Sequence, residues 1–471
     1  MLNSLRARII KNELTVISLY AGASAATRLG LILLSGFGLV FLSSNQLEML
    51  GVLISFAPLF TYLFDCAISK VTVRFWFFWH ATLNSYLHQI VKLRYLYYLI
   101  ILPFVVVTSL YLANNFFPQN SHLKTSVIAL LLFGMAESCS LLMASFCRLE
   151  NSPLFLFKLK FSIMLVSLGF AVSCFFVDLM DYVFFAYALT HFLATNVVFI
   201  VYYLRPKVDD IDTLKLPKKD ILRFSFPLTI HDISWWLKGF AMAIIVSKVA
   251  DPVVASGYFI AITLASPLYL LVSGFDQAYA ADYYKARNES AYKNLNRVRN
   301  KYRILSLIML FALIGSVFVR EIGHFTNLSD ILTITSDVLP IIFLGPVFQS
   351  LYVVWVKPHM YNKSTQFIGI SSFSISVIAL YLCYDLFIVG GYLLAGLLSS
   401  MAFLLISLTM LAVSIFRQLI IVDVWVPLIV SALSILSLFV IYFVSVYAGL
   451  ALLFVGSMYM VRLCRKDDIE E

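Results

Sequence analysis

The sequence predicts an all-α polytopic membrane protein with about fourteen transmembrane helices, and three observations predict it. Of its 471 residues, 61% are hydrophobic and 13% charged, with a mean hydropathy of +0.92. Soluble domains hold about 45–50% apolar and about 25% charged residues. The apolar residues fall into long runs divided by short polar segments, and the 41 Phe and 26 Tyr exclude a disordered chain. Lysine and arginine crowd into every second polar segment. At about 20 residues per crossing, fourteen crossings use about 280 residues, close to the apolar total.

Taken in order, the apolar runs give spans at 14–41, 50–71, 95–113, 125–147, 160–177, 182–204, 224–247, 256–279, 303–319, 338–356, 365–383, 388–416, 420–443 and 446–461. The first continues from Leu14 to Leu42, too long for the apolar core of a cleavable signal. The second and eighth each hold a proline and an acid, Pro58 and Asp65, Pro267 and Asp276. Between the second and third lies RFWFFWHATLNSYLHQIVKLR, Arg74–Arg94, whose aromatic cluster Phe75–Trp79 suits headgroup depth, either as an interfacial anchor or as a lateral gate. The fifth and last spans are short, and 388–416 is long enough to tilt strongly.

Charge bias supports the count. With a cytoplasmic N-terminus, 29 of the 34 Lys and Arg fall in the segments expected inside and only Lys124, Lys248 and Arg320 outside. The net charge of +9 is thereby an orientation signal, and no nucleic-acid partner is expected. None of the six cysteines forms a Cys-x-x-Cys pair, so neither a disulfide framework nor a zinc site is indicated. The outside segments are short, so any chemistry lies within the membrane. Nucleotide-binding, hydrolase and metalloprotease motifs are absent, which points away from an enzyme.

Two cations remain inside spans, Arg28 and Lys238, 210 residues apart. Asp65 and Asp276 recur at 211 and Pro58 and Pro267 at 209, a period that predicts two six-span halves in the same orientation. The expected division is an N-terminal six-helix lobe at 1–204, a basic cytoplasmic linker at 205–223, a second six-helix lobe at 224–416, and an appended pair of helices with a tail at 417–471.

A charge at mid-bilayer costs about 2.5–3.5 kcal/mol on insertion scales and usually faces a cavity or a partner. Arg28 shares a helical face with Ser24 and Tyr20. In PLTIHDISWWLKG, His231, Ser234, Trp235 and Lys238 share a face beside Asp232. Two readings follow: an anion-binding lumen in which Trp235 stacks on a sugar while the cations hold a phosphate, or local neutralisation, Lys238 by Asp232. Asp65 and Asp276 suit ion coupling or pairing with a neighbouring base such as Lys70. Glu137, deeper and flanked by Ser138 and Ser140, is the stronger candidate for a protonatable switch, while His191 reads as a hydrogen-bonded core histidine.

Two stretches carry a family likeness: Leu14–Lys70, and Leu222–Arg287 with its basic approach, Phe224–Pro227 start and Gly257–Tyr258. With the fourteen-span layout, they resemble the Wzx-type O-antigen and polysaccharide flippases of the MOP exporter superfamily. The resemblance implies two MATE-like six-helix lobes, plus two C-terminal helices, around a cationic central cavity in the bacterial inner membrane, with both termini cytoplasmic. It implies alternating access and, as substrate, an undecaprenyl-pyrophosphate-linked oligosaccharide, with membrane lipids and polysaccharide polymerase and chain-length machinery as partners. No cofactor is implied beyond coupling to the membrane potential or to H+ or Na+. The family's lumen cations carry onto Arg28 and Lys238. The rival readings are a MATE-type multidrug exporter and a lipid II flippase, and more remotely a glycan polymerase or ligase.

Overall fold

In a computed structural model, residues 2–76, 83–116, 123–150, 152–203, 218–288, 292–325, 329–362, 364–419 and 423–469 are described, and no strand occurs among them. The chain is a multi-pass, all-α membrane protein. Eleven helical stretches of 19 to 32 residues are long and apolar enough to cross a bilayer, with two shorter ones at Ala25–Phe41 and Val446–Met460.

The helices divide between two compact units, Met1–Trp236 and Leu237–Glu471. The first holds α1 (Leu2–Phe41), α2 (Ser44–Asp65), α3 (Ile68–Trp76), α4 (Leu83–Phe116), α5 (Leu123–Leu149), α6 (Pro153–Phe176) and α7 (Val183–Tyr203). Helix α8 (Lys218–Lys238) runs up to the boundary and just past it. The second holds α9 (Phe240–Val249), α10 (Pro252–Asn288), α11 (Tyr292–Phe325), α12 (Asp330–Tyr361), α13 (Thr365–Phe416), α14 (Trp425–Phe443) and α15 (Val446–Ile469). Helices recur at the period read from the charges: α11 starts at 292 against 83 for α4 and ends at 325 against 116, an offset of 209 both times. Helix α5 packs on α2 and α7 in the first unit, as α12 packs on α10 and α13 in the second.

Three local features depart from uniform spans. The second expected span, 50–71, breaks after Asp65: Cys66 and Ala67 both take left-handed backbone (φ 46 and 51), and α3 leaves in a new direction. The seventh, 224–247, is divided at Gly239, where φ −102 and ψ −85 end α8 and start α9. The long twelfth span is the second part of α13, which kinks at Gly391 with φ +63, a conformation open to glycine without steric cost. Where α2 meets α5, Gly134 allows a close approach, since a Cβ there would lie 2.6 Å from Phe60 Cβ. At the start of α2 a capping box closes, Gln46 N–H donating to Ser43 Oγ while the Gln46 side chain accepts from Ser43 N–H. Five cysteines, at 66, 139, 147, 174 and 383, are buried and free. The side chains of the aromatic cluster Phe75–Trp79 lie outside the described residues.

Candidate functional site

In the first unit, one acid gathers groups from three helices. Glu137, 9% exposed on α5, accepts a hydrogen bond from Thr27 Oγ1 of α1 at 2.7 Å and is joined at the same oxygen by His191 Nε2 of α7 at 2.9 Å. The imidazole belongs to a cluster of three rings, 5.5 Å from Phe133 and 5.9 Å from Tyr187, which are themselves 6.3 Å apart. Tyr187 donates its hydroxyl to the Thr27 carbonyl at 3.4 Å, so the network also fixes the backbone of α1. Lys160, buried on α6, and Arg28 lie within electrostatic reach of the carboxylate. This satisfies a buried acid in the way a low-dielectric interior requires, by charge and hydrogen bonding together.

Arg28 itself is half-buried one residue beyond Thr27, with Tyr62 and Tyr187 near it as well as Glu137. Tyr20, 8% exposed, reaches the Cys147 carbonyl of α5 at 3.5 Å. The Ser24 side chain lies outside the described residues. Asp65, at the end of α2, accepts from Ser69 Oγ at 2.6 Å across the turn, while its Oδ1 has no hydrogen-bond partner.

Along α8, the polar face has a different set of partners from those its sequence neighbours offer. Asp232 forms an ion pair with Lys70 of α3, so the base adjacent to Asp65 is drawn to another acid. His231 Nε2 accepts from Trp235 Nε1 at 2.8 Å, one turn on. Trp236 donates to the Ser55 carbonyl at 2.7 Å and packs on Phe56, which ties the second tryptophan of the pair to α2.

In the second unit, Lys238 is 1% exposed, with its ammonium 4.6 Å from the centre of the Phe403 ring and its carbonyl accepting from Ser399 Oγ of α13. Aromatic faces attract cations and offset part of their desolvation. Asp276, closing the apolar part of α10, pairs with Lys357 of α12 at 2.5 Å and accepts from Tyr302 of α11 at 3.2 Å. Lys357 is as buried as Lys238. Sequence reasoning assigned Lys357 and Lys160 to orientation, whereas Lys357 pairs with Asp276 and Lys160 lies within electrostatic reach of Glu137. It offered Lys70 as a base for Asp65, and the structure pairs it with Asp232 instead. For Lys357 the missed signal is its place at the end of the unbroken apolar run Leu351–Val356.

No known family's sequence profile matches this chain, and no curated protein does. Solved structures do. The MATE multidrug transporter DinF-BH, solved with R6G, superposes with a TM-score of 0.66 at 11% identity, covering 87% of this chain and 96% of that one. An inward-facing MATE multidrug resistance transporter of the MOP superfamily gives 0.56 at 15% identity, over 85% and 94%. The lipid II flippase MurJ in an inward closed conformation gives 0.51 at 16% identity, over 96% and 97%. The fold is therefore the one shared by MATE transporters and the MurJ flippase. At identities this low the likeness establishes the fold and leaves the cargo to the site.

Proposed function

We propose that this protein is a MOP-type membrane transporter that flips an undecaprenyl-pyrophosphate-linked oligosaccharide across the bacterial inner membrane by alternating access. The observation that supports the reading is the pair of span cations, Arg28 and Lys238, 210 residues apart in the sequence and so close to the 209-residue offset between α4 and α11, in a fold shared with a lipid flippase. Crossing hydrocarbon without help, the pyrophosphate and hydroxyls would leave polar groups unsatisfied at several kcal/mol each. Cationic side chains within the membrane lower that cost, and sugar rings suit the face of Trp235.

Coverage supports a flippase over a multidrug exporter. MurJ matches 96% of this chain and the two MATE structures 85–87%, a shortfall about the size of α14 and α15 together. In the conformation described, Lys238 is closed off beneath Phe403, so its contact with a phosphate needs the break at Gly239 to open. Arg28, half-buried, needs no such step. The network of Glu137, Thr27 and His191 is the candidate for proton coupling, with Asp65, Asp232 and Asp276 as charge partners.

The test is Arg28→Ala and Lys238→Ala, singly and together, in cells that depend on this chain for surface glycan. Loss of glycan at normal protein levels supports the reading; wild-type glycan in the double variant refutes the role given to the cations. A second reading, a cation-coupled multidrug exporter, draws on the higher TM-score of the DinF-BH match. It predicts drug sensitivity on deletion with surface glycan unchanged.

A further inference from the structure

Arg94 takes no part in the hydrogen-bond networks described above. Sequence reasoning counts it with the cytoplasmic loop, yet it is 4% exposed on α4. Its Nε and Nη2 donate to the Tyr98 hydroxyl one turn on, the first at 2.9 Å, and Nη2 also donates to Ser138 Oγ of α5 at 3.2 Å. Tyr98 completes the set by donating to the same Ser138 oxygen at 2.9 Å. All these acceptors are neutral. Asp65 acts on Arg94 only through space, its bonded oxygen being held by Ser69. A guanidinium carries five N–H donors, and the hydrogen bonds above use those of Nε and Nη2. What remains is a buried cation with hydroxyl partners and no ion pair among the described residues, an arrangement that invites an anion.

Beside it lies a cavity of about 220 Å³, lined by Arg94, Tyr95, Met135, Cys139, Asn196 and Phe199 from α4, α5 and α7. Tyr95 is 54% exposed, and on the next turn of α4 Leu99 and Ile100 are 73% and 68% exposed, an apolar surface of the kind that meets acyl chains. Arg94 sits six residues into the apolar stretch His88–Val107, about 9 Å along the axis at about 1.5 Å per residue. That is near the end of the stretch preceded by the basic segment, within reach of lipid headgroups.

We propose that this cavity binds the phosphate headgroup of an anionic glycerophospholipid. The Nη1 donors of Arg94, left over by Tyr98 and Ser138, meet the phosphodiester in a charge-assisted hydrogen bond, and the acyl chains lie along the exposed face of α4. The bilayer is the favoured source because the cavity walls are mainly apolar and adjoin that face. The site is independent of the transport reading and of its cations.

The experiment uses the full-length protein in neutral detergent. Bound lipid is counted by native mass spectrometry, and the thermal midpoint is followed during titration with phosphatidylglycerol, phosphatidylcholine or inorganic phosphate. Wild type should retain phosphatidylglycerol and respond to it at concentrations about tenfold lower than to phosphatidylcholine, the scale of one charge-assisted hydrogen bond. Arg94→Gln should erase that preference. Met135→Trp fills the cavity while leaving the hydrogen bonds of Arg94 in place; it should also erase the preference, and it carries the test if Arg94→Gln does not fold. Equal responses to the two lipids in wild type would overturn the proposal. So would a preference that survives the substitutions, or stabilisation matched by inorganic phosphate alone.

Discussion

The link between Glu137 and His191 lends itself to a double-mutant cycle. His191→Phe keeps a ring beside Phe133 and Tyr187 and removes the nitrogen that meets the carboxylate at 2.9 Å. Glu137→Met keeps the volume and removes the acceptor of both Thr27 and His191. In membrane proteins such side-chain bonds couple by about 0.6 kcal/mol on average and about 1.7 at most, because the unfolded chain in lipid also finds partners. A buried, charged acceptor places this pair toward the upper limit, so the coupling should be about 1–1.7 kcal/mol. Glu137→Met alone should cost about 2–3 kcal/mol, somewhat below the 3–5 expected when one partner of a buried pair is removed. The double variant should be less damaged than the two single losses combined. Reversible unfolding by SDS in mixed micelles measures all four proteins. Additivity within about 0.3–0.5 kcal/mol would mean that the two residues are energetically independent, and the argument for a joint network would fail.

Two further outcomes follow from packing and charge. Gly134→Ala should destabilise by about 1–3 kcal/mol, the usual cost of overpacking, because its Cβ would lie 2.6 Å from Phe60 Cβ and 2.9 Å from the Phe60 carbonyl carbon. Gly169→Ala, with nothing within 4 Å, is the control and should be neutral or mildly stabilising in the same unfolding assay. Asp276→Asn should cost about 3–5 kcal/mol by leaving Lys357 buried without its carboxylate. Adding Lys357→Met should recover most of that loss, and failure to recover it would show the ion pair to be secondary to packing.

The succession of spans was legible because hydrophobic length is a property of the chain itself. Thirteen of the fourteen expected spans coincide with an apolar helix among the described residues, the exception being 224–247, which is divided at Gly239. The offset between Arg28 and Lys238 anticipates the offset between α4 and α11. The partners of the charges were not legible, because they are set by contacts far apart in sequence. Asp232 lies six residues from Lys238, yet its ion pair is with Lys70, 162 residues away. Glu137 meets Thr27 across 110 residues and His191 across 54, which no helical spacing encodes. Arg94 and Lys160 were hidden for a different reason. The positive-inside bias accounts for every basic residue near a membrane face, so it does not distinguish a side chain in water from one turned into the bundle.

The corner after α2 has a consequence for how its residues can vary. Left-handed backbone costs an ordinary residue about 1–2 kcal/mol, and here two adjacent non-glycine residues, Cys66 and Ala67, adopt it. Glycine would relieve the torsion at either place, but Cys66 and Ala67 are 3% and 1% exposed, and the Thr229 hydroxyl donates to the Cys66 sulfur at 3.4 Å. The bend is thus imposed by its surroundings against the preference of its own residues. Loosening those surroundings would favour a straighter path from α2 into α3, carrying Lys70 away from Asp232.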